Sequence, residues 1–177
     1  INKRYKIFFP PASVRTRWTY AYYNIIIGAG SSGMDTRWGE KNFIDLINKL
    51  NETGNYFFYI QCGPEQNEIS KNIITKIKKK NCMDLSSMSI REIIPILYLC
   101  DMYVGNDSFS HHITSQSKKP SIVMLLNSPK AYTDYSINHH RIIPDNAKIE
   151  DLDHSSKYSA ESINVEKVFN KIIEIKN

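Results

Sequence analysis

No stretch of the chain approaches the roughly 18 consecutive apolar residues of a bilayer-crossing helix, and no charged-then-apolar leader opens it. We therefore expect a soluble protein. Cysteine is scarce, with only Cys62, Cys82 and Cys100, widely spaced and without a C-x-x-C pair. That pattern excludes a disulfide framework and a thiolate zinc site, and it implies reduced, mostly buried thiols in a cytosolic protein. The histidine pairs His111-His112 and His139-His140 raise no metal expectation either, because neighbours in sequence point to different faces. Ile1 stands where an initiator Met would, so a processed, truncated or incompletely represented polypeptide is expected.

What is present is ordinary for a globular chain: 177 residues, 41% hydrophobic and 23% charged, enough for one domain with a real core. A net charge of +5 raises the question of nucleic acid or an anionic membrane surface. The densest lysines, Lys76 to Lys80, close a predicted helix, where cations complement the helix dipole. The remaining excess suits phosphate-bearing ligands or a membrane face better than a base-reading surface, and no nucleic-acid partner is expected. Residues 1–22 read as a linker or arm. Phe8-Phe9-Pro10-Pro11 cannot continue a helix, and Arg15-Thr16-Arg17-Trp18 has no clear period. Residues 23–177 read as one binding domain.

Within it, strands and helices alternate. Asn24 to Ile27 is a buried-strand run that ends in Gly28-Ala29-Gly30-Ser31-Ser32-Gly33, a glycine-serine turn without the full G-x-G-x-x-G spacing. Its glycines would let backbone approach a ligand, and its serines add hydroxyl donors. Phe43, Leu46, Ile47 and Leu50 then fall at helical spacing, with Gly54 as the stop. Tyr56 to Gln61 is a second strand and Ile69, Ile73, Ile74 and Ile77 form one face of a second helix. A short strand near Cys82 to Leu85 precedes Ser89-Ile90-Arg91-Glu92, whose spacing is that of a capping box. Pro95 predicts some kinking of the helix that follows.

Met102 to Gly105 and Ser121 to Leu126 read as further strands around a helix from His111 to Lys118. Residues 130–162 are poorly periodic, with a small strand at Ile142-Ile143. The last helix carries Val165, Val168, Phe169, Ile172 and Ile175, with Asn164 as its cap. This alternation predicts an α/β fold, a Rossmann-like three-layer arrangement of a parallel sheet with helices on both faces. Ligands bind such sheets at the carboxyl ends of the strands, where the turns at Gly28, Cys62, Ser86, Asn106 and Asn127 all fall. A mononucleotide-containing ligand is the expected occupant, its pyrophosphate at the glycine-serine turn and at Asp107 to His112. Asp107 and His112 offer an acceptor for hydroxyls and a donor for phosphate oxygens; Asp107 as a plain N-cap and His112 as a satisfied helix residue is the other reading of the same nine residues.

Gly28-Ala29-Gly30-Ser31-Ser32, Arg37-Trp38, Gly63-Pro64-Glu65, Asp84 to Ile90, and Gly105-Asn106-Asp107-Ser108 with His112 resemble glycosyltransferase family 9, the heptosyltransferases of lipopolysaccharide core assembly. The resemblance runs from about Tyr23 to Pro129 and resumes in the last helix. It implies the C-terminal, donor-binding half of a GT-B glycosyltransferase and an ADP-activated heptose donor. The implied transfer to a lipopolysaccharide or other glycan acceptor is inverting and metal-independent, at the cytoplasmic face of the membrane. By position, it implies that Ser31 and Ser32 contact phosphate, Glu65 the ribose and Met88 the adenine. Asp107 would hold the sugar hydroxyls; Ser108, the backbone at Phe109 and His112 the diphosphate; and Arg37 belongs to the same donor-binding set. No cofactor beyond the donor is implied. The family's acceptor site and catalytic aspartate belong to an N-terminal half, so no catalytic base is named. Thr36 stands where the family carries a lysine, and Phe109 where it carries a glycine. These departures keep a non-catalytic nucleotide-sugar-binding or scaffold module as the alternative, ahead of a nucleic-acid-binding domain.

Overall fold

The computed structural model describes residues 22–177; the expected arm, with Phe8 to Pro11 and Arg15 to Trp18, lies almost wholly outside the described residues. Six strands form one sheet: β1 (Tyr23–Gly28), β2 (Tyr56–Gln61), β3 (Cys82–Asp84), β4 (Met102–Asn106), β5 (Ser121–Met124) and β6 (His139–Ile142). Their order is β3-β2-β1-β4-β5-β6, and every pairing is parallel. Chain order thus reverses between β1 and β4, the switch point of a doubly wound sheet, which is where sheets of this kind bind ligands.

Among the described residues, five α-helices cover the sheet: α1 (Glu40–Thr53), α2 (Asn67–Lys76), α3 (Ile90–Leu99), α4 (Phe109–Gln116) and α5 (Val165–Lys176). The central strands are buried on both faces, which is why they read as continuous apolar runs. Ile25 and Ile27 of β1 pack with Phe43, Leu46, Ile73, Val168 and Ile172 from α1, α2 and α5. Ile26, between them, faces the other way and packs with Ile93, Ile96, Leu97 and Tyr103. Val123, Leu125 and Leu152 make a third, smaller cluster beneath the segment that precedes α5.

Helix ends follow local chemistry. Glu92 accepts hydrogen bonds from the backbone N–H and the hydroxyl of Ser89 (2.8 and 2.7 Å), and Asn164 Oδ1 caps α5 through Lys167 N at 2.9 Å. Beyond α2, the Lys80 ammonium donates to the carbonyls of Ile74, Thr75 and Ile77, so this lysine run does serve a helix end. Helix α3 continues through Pro95 for four more residues.

The structure departs from the sequence reading chiefly at the ends of elements. The last strand is His139–Ile142, three residues ahead of the expected Ile142-Ile143, because an edge strand of mixed burial carries no clean alternation. Helix α4 starts at Phe109 rather than His111, and β5 stops at Met124 rather than Leu126. Among the cysteines, Cys62 and Cys100 are buried and Cys82 half-buried, all as free thiols; burial pushes the first two up to about 12, so they stay protonated.

Candidate functional site

At the carboxyl edge, β1 and β4 lie side by side with Gly28 opposite Gly105. A Cβ on Gly28 would sit 1.9 Å from Tyr103 Oη, and one on Gly105 would sit 2.5 Å from both Tyr103 Oη and the Gly28 carbonyl. These two glycines therefore make room for a phenol; for Gly28, the space that the sequence reading left to a ligand is taken by Tyr103. Tyr103 Oη donates to the Asn106 carbonyl at 2.6 Å and lies 3.1 Å from Ser108 Oγ, which ties the end of β4 to the start of α4.

Asn106, the last residue of β4, holds the edge together. Fully buried, it accepts from Trp38 N (2.8 Å) and donates to the Ala29 carbonyl (2.8 Å), linking β4 to both ends of the loop that connects β1 with α1. Asn127 does the same beyond β5, donating to the carbonyls of Asp35 (2.7 Å) and Tyr158 (3.1 Å) and accepting from Tyr158 N (3.0 Å). Trp38 Nε1 adds a bond to the Ile163 carbonyl at 2.7 Å. Sequence reasoning flagged these turns but missed the two asparagines. The signal was there: each polar amide closes an apolar strand run, where burial obliges it to find partners.

The glycine-serine turn is folded in on itself. Ser31 is buried, its hydroxyl 2.5 Å from Thr36 Oγ1, and Thr36 in turn donates to the Gly33 carbonyl at 2.9 Å. Arg37 donates through Nε (3.2 Å) and Nη2 (2.9 Å) to the Ser31 carbonyl, which Gln66 Nε2 also reaches at 2.7 Å. Two of the Arg37 donors are thus committed to shaping the turn. Ser32 is exposed beside it. Glu65 is exposed in the short 3-10 turn after β2, and Met88 is half-buried beyond β3 against the Ile93 and Tyr103 cluster. Phe109 is partly exposed at the first position of α4.

Asp107 is not the N-cap of α4; that position falls to Ser108, and Asp107 instead bonds His111 Nε2 at 2.7 Å. Burial raises its carboxyl, but bonds from His111 and Ser128 outweigh that and hold it below the usual carboxylate range, so it is ionised at neutral pH. His111 is fully buried, its Nδ1 lying 3.1 Å from His139 Nε2, while His139 Nδ1 meets the Thr133 carbonyl at 3.0 Å. His112 is half-buried, its Nδ1 against the Tyr135 hydroxyl. Burial lowers all three imidazoles. The first turn of α4 leaves backbone N–H groups at Phe109 and Ser110 without intrahelical acceptors, directed past the end of β4.

Ser31, Asp107 and Ser108 therefore follow the ends of two adjacent strands, β1 and β4, Glu65 and Met88 follow the neighbouring strands on the same edge, and the two bends expected to cradle one ligand are adjacent; the His112 ring instead packs against His111, Tyr135 and His139. The family described as glycosyltransferase family 9 (heptosyltransferase) matches residues 14–161. The chain belongs to glycosyltransferase family 9. No curated protein matches it in sequence. Among solved family 9 structures, Escherichia coli ADP-heptose lipopolysaccharide heptosyltransferase II superposes with a TM-score of 0.73 at 17% identity, over 88% of this chain and 46% of that one. A Veillonella parvula family 9 glycosyltransferase gives 0.72 at 16%, over 88% and 47%. Escherichia coli heptosyltransferase WaaC with ADP-2-deoxy-2-fluoro heptose gives 0.68 at 17%, over 96% and 45%. At these identities the likeness shows the fold, the Rossmann-like sheet of GT-B glycosyltransferases. The chain spans about half the length of these family 9 structures. Among the described residues, no helix is long and apolar enough to cross a membrane.

Proposed function

We propose that this family 9 chain is the donor-binding half of a heptosyltransferase-like glycosyltransferase, holding an ADP-linked sugar for inverting transfer to a glycan acceptor. One observation carries the reading. The end of β1, with Ser31 and Ser32, and the start of α4, with Asp107 and Ser108, meet at the switch point of a 3-2-1-4-5-6 sheet. The free N–H groups of α4 suit a diphosphate whose negative charge grows as the sugar leaves, and a helix terminus of that length stabilises it without reorganising. Asp107, ionised and oriented by His111, is the acceptor for vicinal sugar hydroxyls. Glu65 and Met88, on the loops after β2 and β3, take the ribose and the adenine. Family 9 relatives solved with ADP and with an ADP-heptose analogue support an adenine nucleotide as the donor's handle. Acceptor and general base are assigned to the other half of a GT-B enzyme.

Titration calorimetry tests this directly. ADP should bind more tightly than UDP, and an ADP-sugar more tightly than ADP. Asp107→Ala should cost the ADP-sugar roughly tenfold or more while changing ADP less, since a hydrogen bond to a charged group is worth about 1.5–3 kcal/mol. Equal loss for both ligands would remove Asp107 from the sugar; no binding of either by the wild-type chain would overturn the reading.

A further inference from the structure

The histidines gather in a way their sequence positions did not suggest. Neighbouring side chains were expected to diverge, yet the His111 and His112 ring centroids lie 3.7 Å apart and that of His139 lies 5.0 Å from His111. The cause is tertiary. Ser121 pairs with His139 across β5 and β6, and the edge strand thereby sets His139 against the first turn of α4. One ring nitrogen from each of His111, His112 and His139 falls within 4.8 Å of the others.

Hydrogen bonding fixes two of the three tautomers. The Thr133 carbonyl only accepts, so His139 Nδ1 carries the proton and its Nε2 presents a lone pair. The Asp107 carboxylate likewise only accepts, so His111 Nε2 carries the proton and its Nδ1 presents a lone pair. These two lone pairs face one another across 3.1 Å. Bare lone pairs at that distance repel, and a cation between them removes the repulsion. Two nitrogens bound to one tetrahedral zinc-type ion at about 2.0–2.1 Å stand about 3.3 Å apart, close to what is observed. The outward N–H of each ring already has the acceptor that metal-bound imidazoles use to fix their orientation: a carboxylate for one, a backbone carbonyl for the other.

We propose that His111, His112 and His139 form a site for a divalent transition-metal ion of zinc type, cross-linking the start of α4 to the edge strand β6. Three neutral nitrogens select a borderline-soft ion over magnesium or calcium. His111 is fully buried and His139 nearly so, while half-buried His112 provides the side from which an ion enters and where water completes the fourth position. With His112 on the ion, the diphosphate contact passes to Ser108 and the Phe109 N–H. The site does not depend on the donor reading, because all its ligands and their supports belong to this chain.

The test is cobalt titration of the chelator-treated chain, read by the visible bands of tetrahedral cobalt and reversed by zinc. One equivalent should bind. His139→Gln should weaken binding beyond the roughly 10–100-fold that loss of an outer partner costs, and Asp107→Asn should fall within that range. His140→Gln should bind as wild type, because His139 and His140 are consecutive residues of β6 and so face opposite sides of the sheet. Melting of the metal-free variants, followed by far-UV circular dichroism, separates a lost ligand from a lost fold. Absence of saturable bands in the wild type overturns the site, as does equal binding by His139→Gln with its fold intact. A low-field nitrogen-bound proton between His111 and His139 that persists under excess zinc also overturns it, because the pair then holds a proton.

Discussion

Replacing Asn106 by Leu should cost this chain about 3 kcal/mol. Asn106 is buried at the end of β4 and makes two bonds of 2.8 Å, accepting from Trp38 N and donating to the Ala29 carbonyl. Leu has a similar volume, so packing changes little, but a backbone donor and a backbone acceptor lose their partners. Each such group costs about 1–3 kcal/mol when left buried and unpaired, which brackets the pair at about 2–6 kcal/mol. Leu is spared the desolvation of a primary amide, which places the net loss in the lower half of that range. For a chain of this size each kcal/mol is worth about 2–4 °C, so melting should fall by about 6–12 °C. Equilibrium urea unfolding, followed by far-UV circular dichroism, should show an earlier midpoint at unchanged slope.

Asn106→Asp sharpens the experiment. Its carboxylate can still accept from Trp38 N, but it meets the Ala29 carbonyl with no donor unless it is protonated. Its folded pKa is therefore raised above the unfolded value of about 3.9, and the native state binds the extra proton more tightly. The stability of this variant should be nearest to wild type below about pH 4 and should decline as pH rises through the folded pKa. A loss under about 1 kcal/mol for Asn106→Leu, or a pH trend of the opposite sign for Asn106→Asp, would refute the role given to this amide.

Two further outcomes check other parts of the edge. Gly28→Ala should destabilise by about 1–3 kcal/mol, because its Cβ would lie 1.9 Å from Tyr103 Oη and 2.4 Å from Cζ and the ring must move. The cost should shrink in a Tyr103→Leu background, so a double-mutant cycle reads the coupling and additive losses would deny it. Asp84 accepts from Ser70 Oγ (2.6 Å) and Ser86 N (2.8 Å); burial pushes its carboxyl up, but these bonds prevail and hold it below the usual range. A depressed folded pKa contributes stability above the unfolded value and loses it as pH falls. The wild type should therefore exceed Asp84→Asn in urea midpoint at neutral pH, and the gap should close on acidification as pH falls below the unfolded carboxylate value of about 3.9.

Much of the edge was legible because it is local. The run Asn24 to Ile27 can be little other than a buried strand, Tyr56 to Gln61 matches β2 residue for residue, and the Ser89 to Glu92 spacing opens α3 as expected. The polar edge strand His139–Ile142 and the irregular path of residues 143–164 were not legible, because their order comes from long-range bonds such as those of Asn127 to Asp35 and Tyr158. The glycines show the limit of reading residue types. Gly28, in the glycine-serine turn, was expected to let backbone approach a ligand, whereas Tyr103, three positions back from Asn106 on its own strand, fills its space and that of Gly105.

The sequence by itself determined the alternation of strand and helix, the parallel sheet and the edge on which its turns collect, since periodicity and chain punctuation act between near neighbours. Only the tertiary structure decided which polar groups on that edge are spent holding it together and which face outward. Arg37, Thr36, Asn106 and Asn127 are bound inward, and His139 arrives beside His111 from 28 residues away. Partnership of buried polar groups depends on which strands lie side by side, and no periodicity along the chain records that.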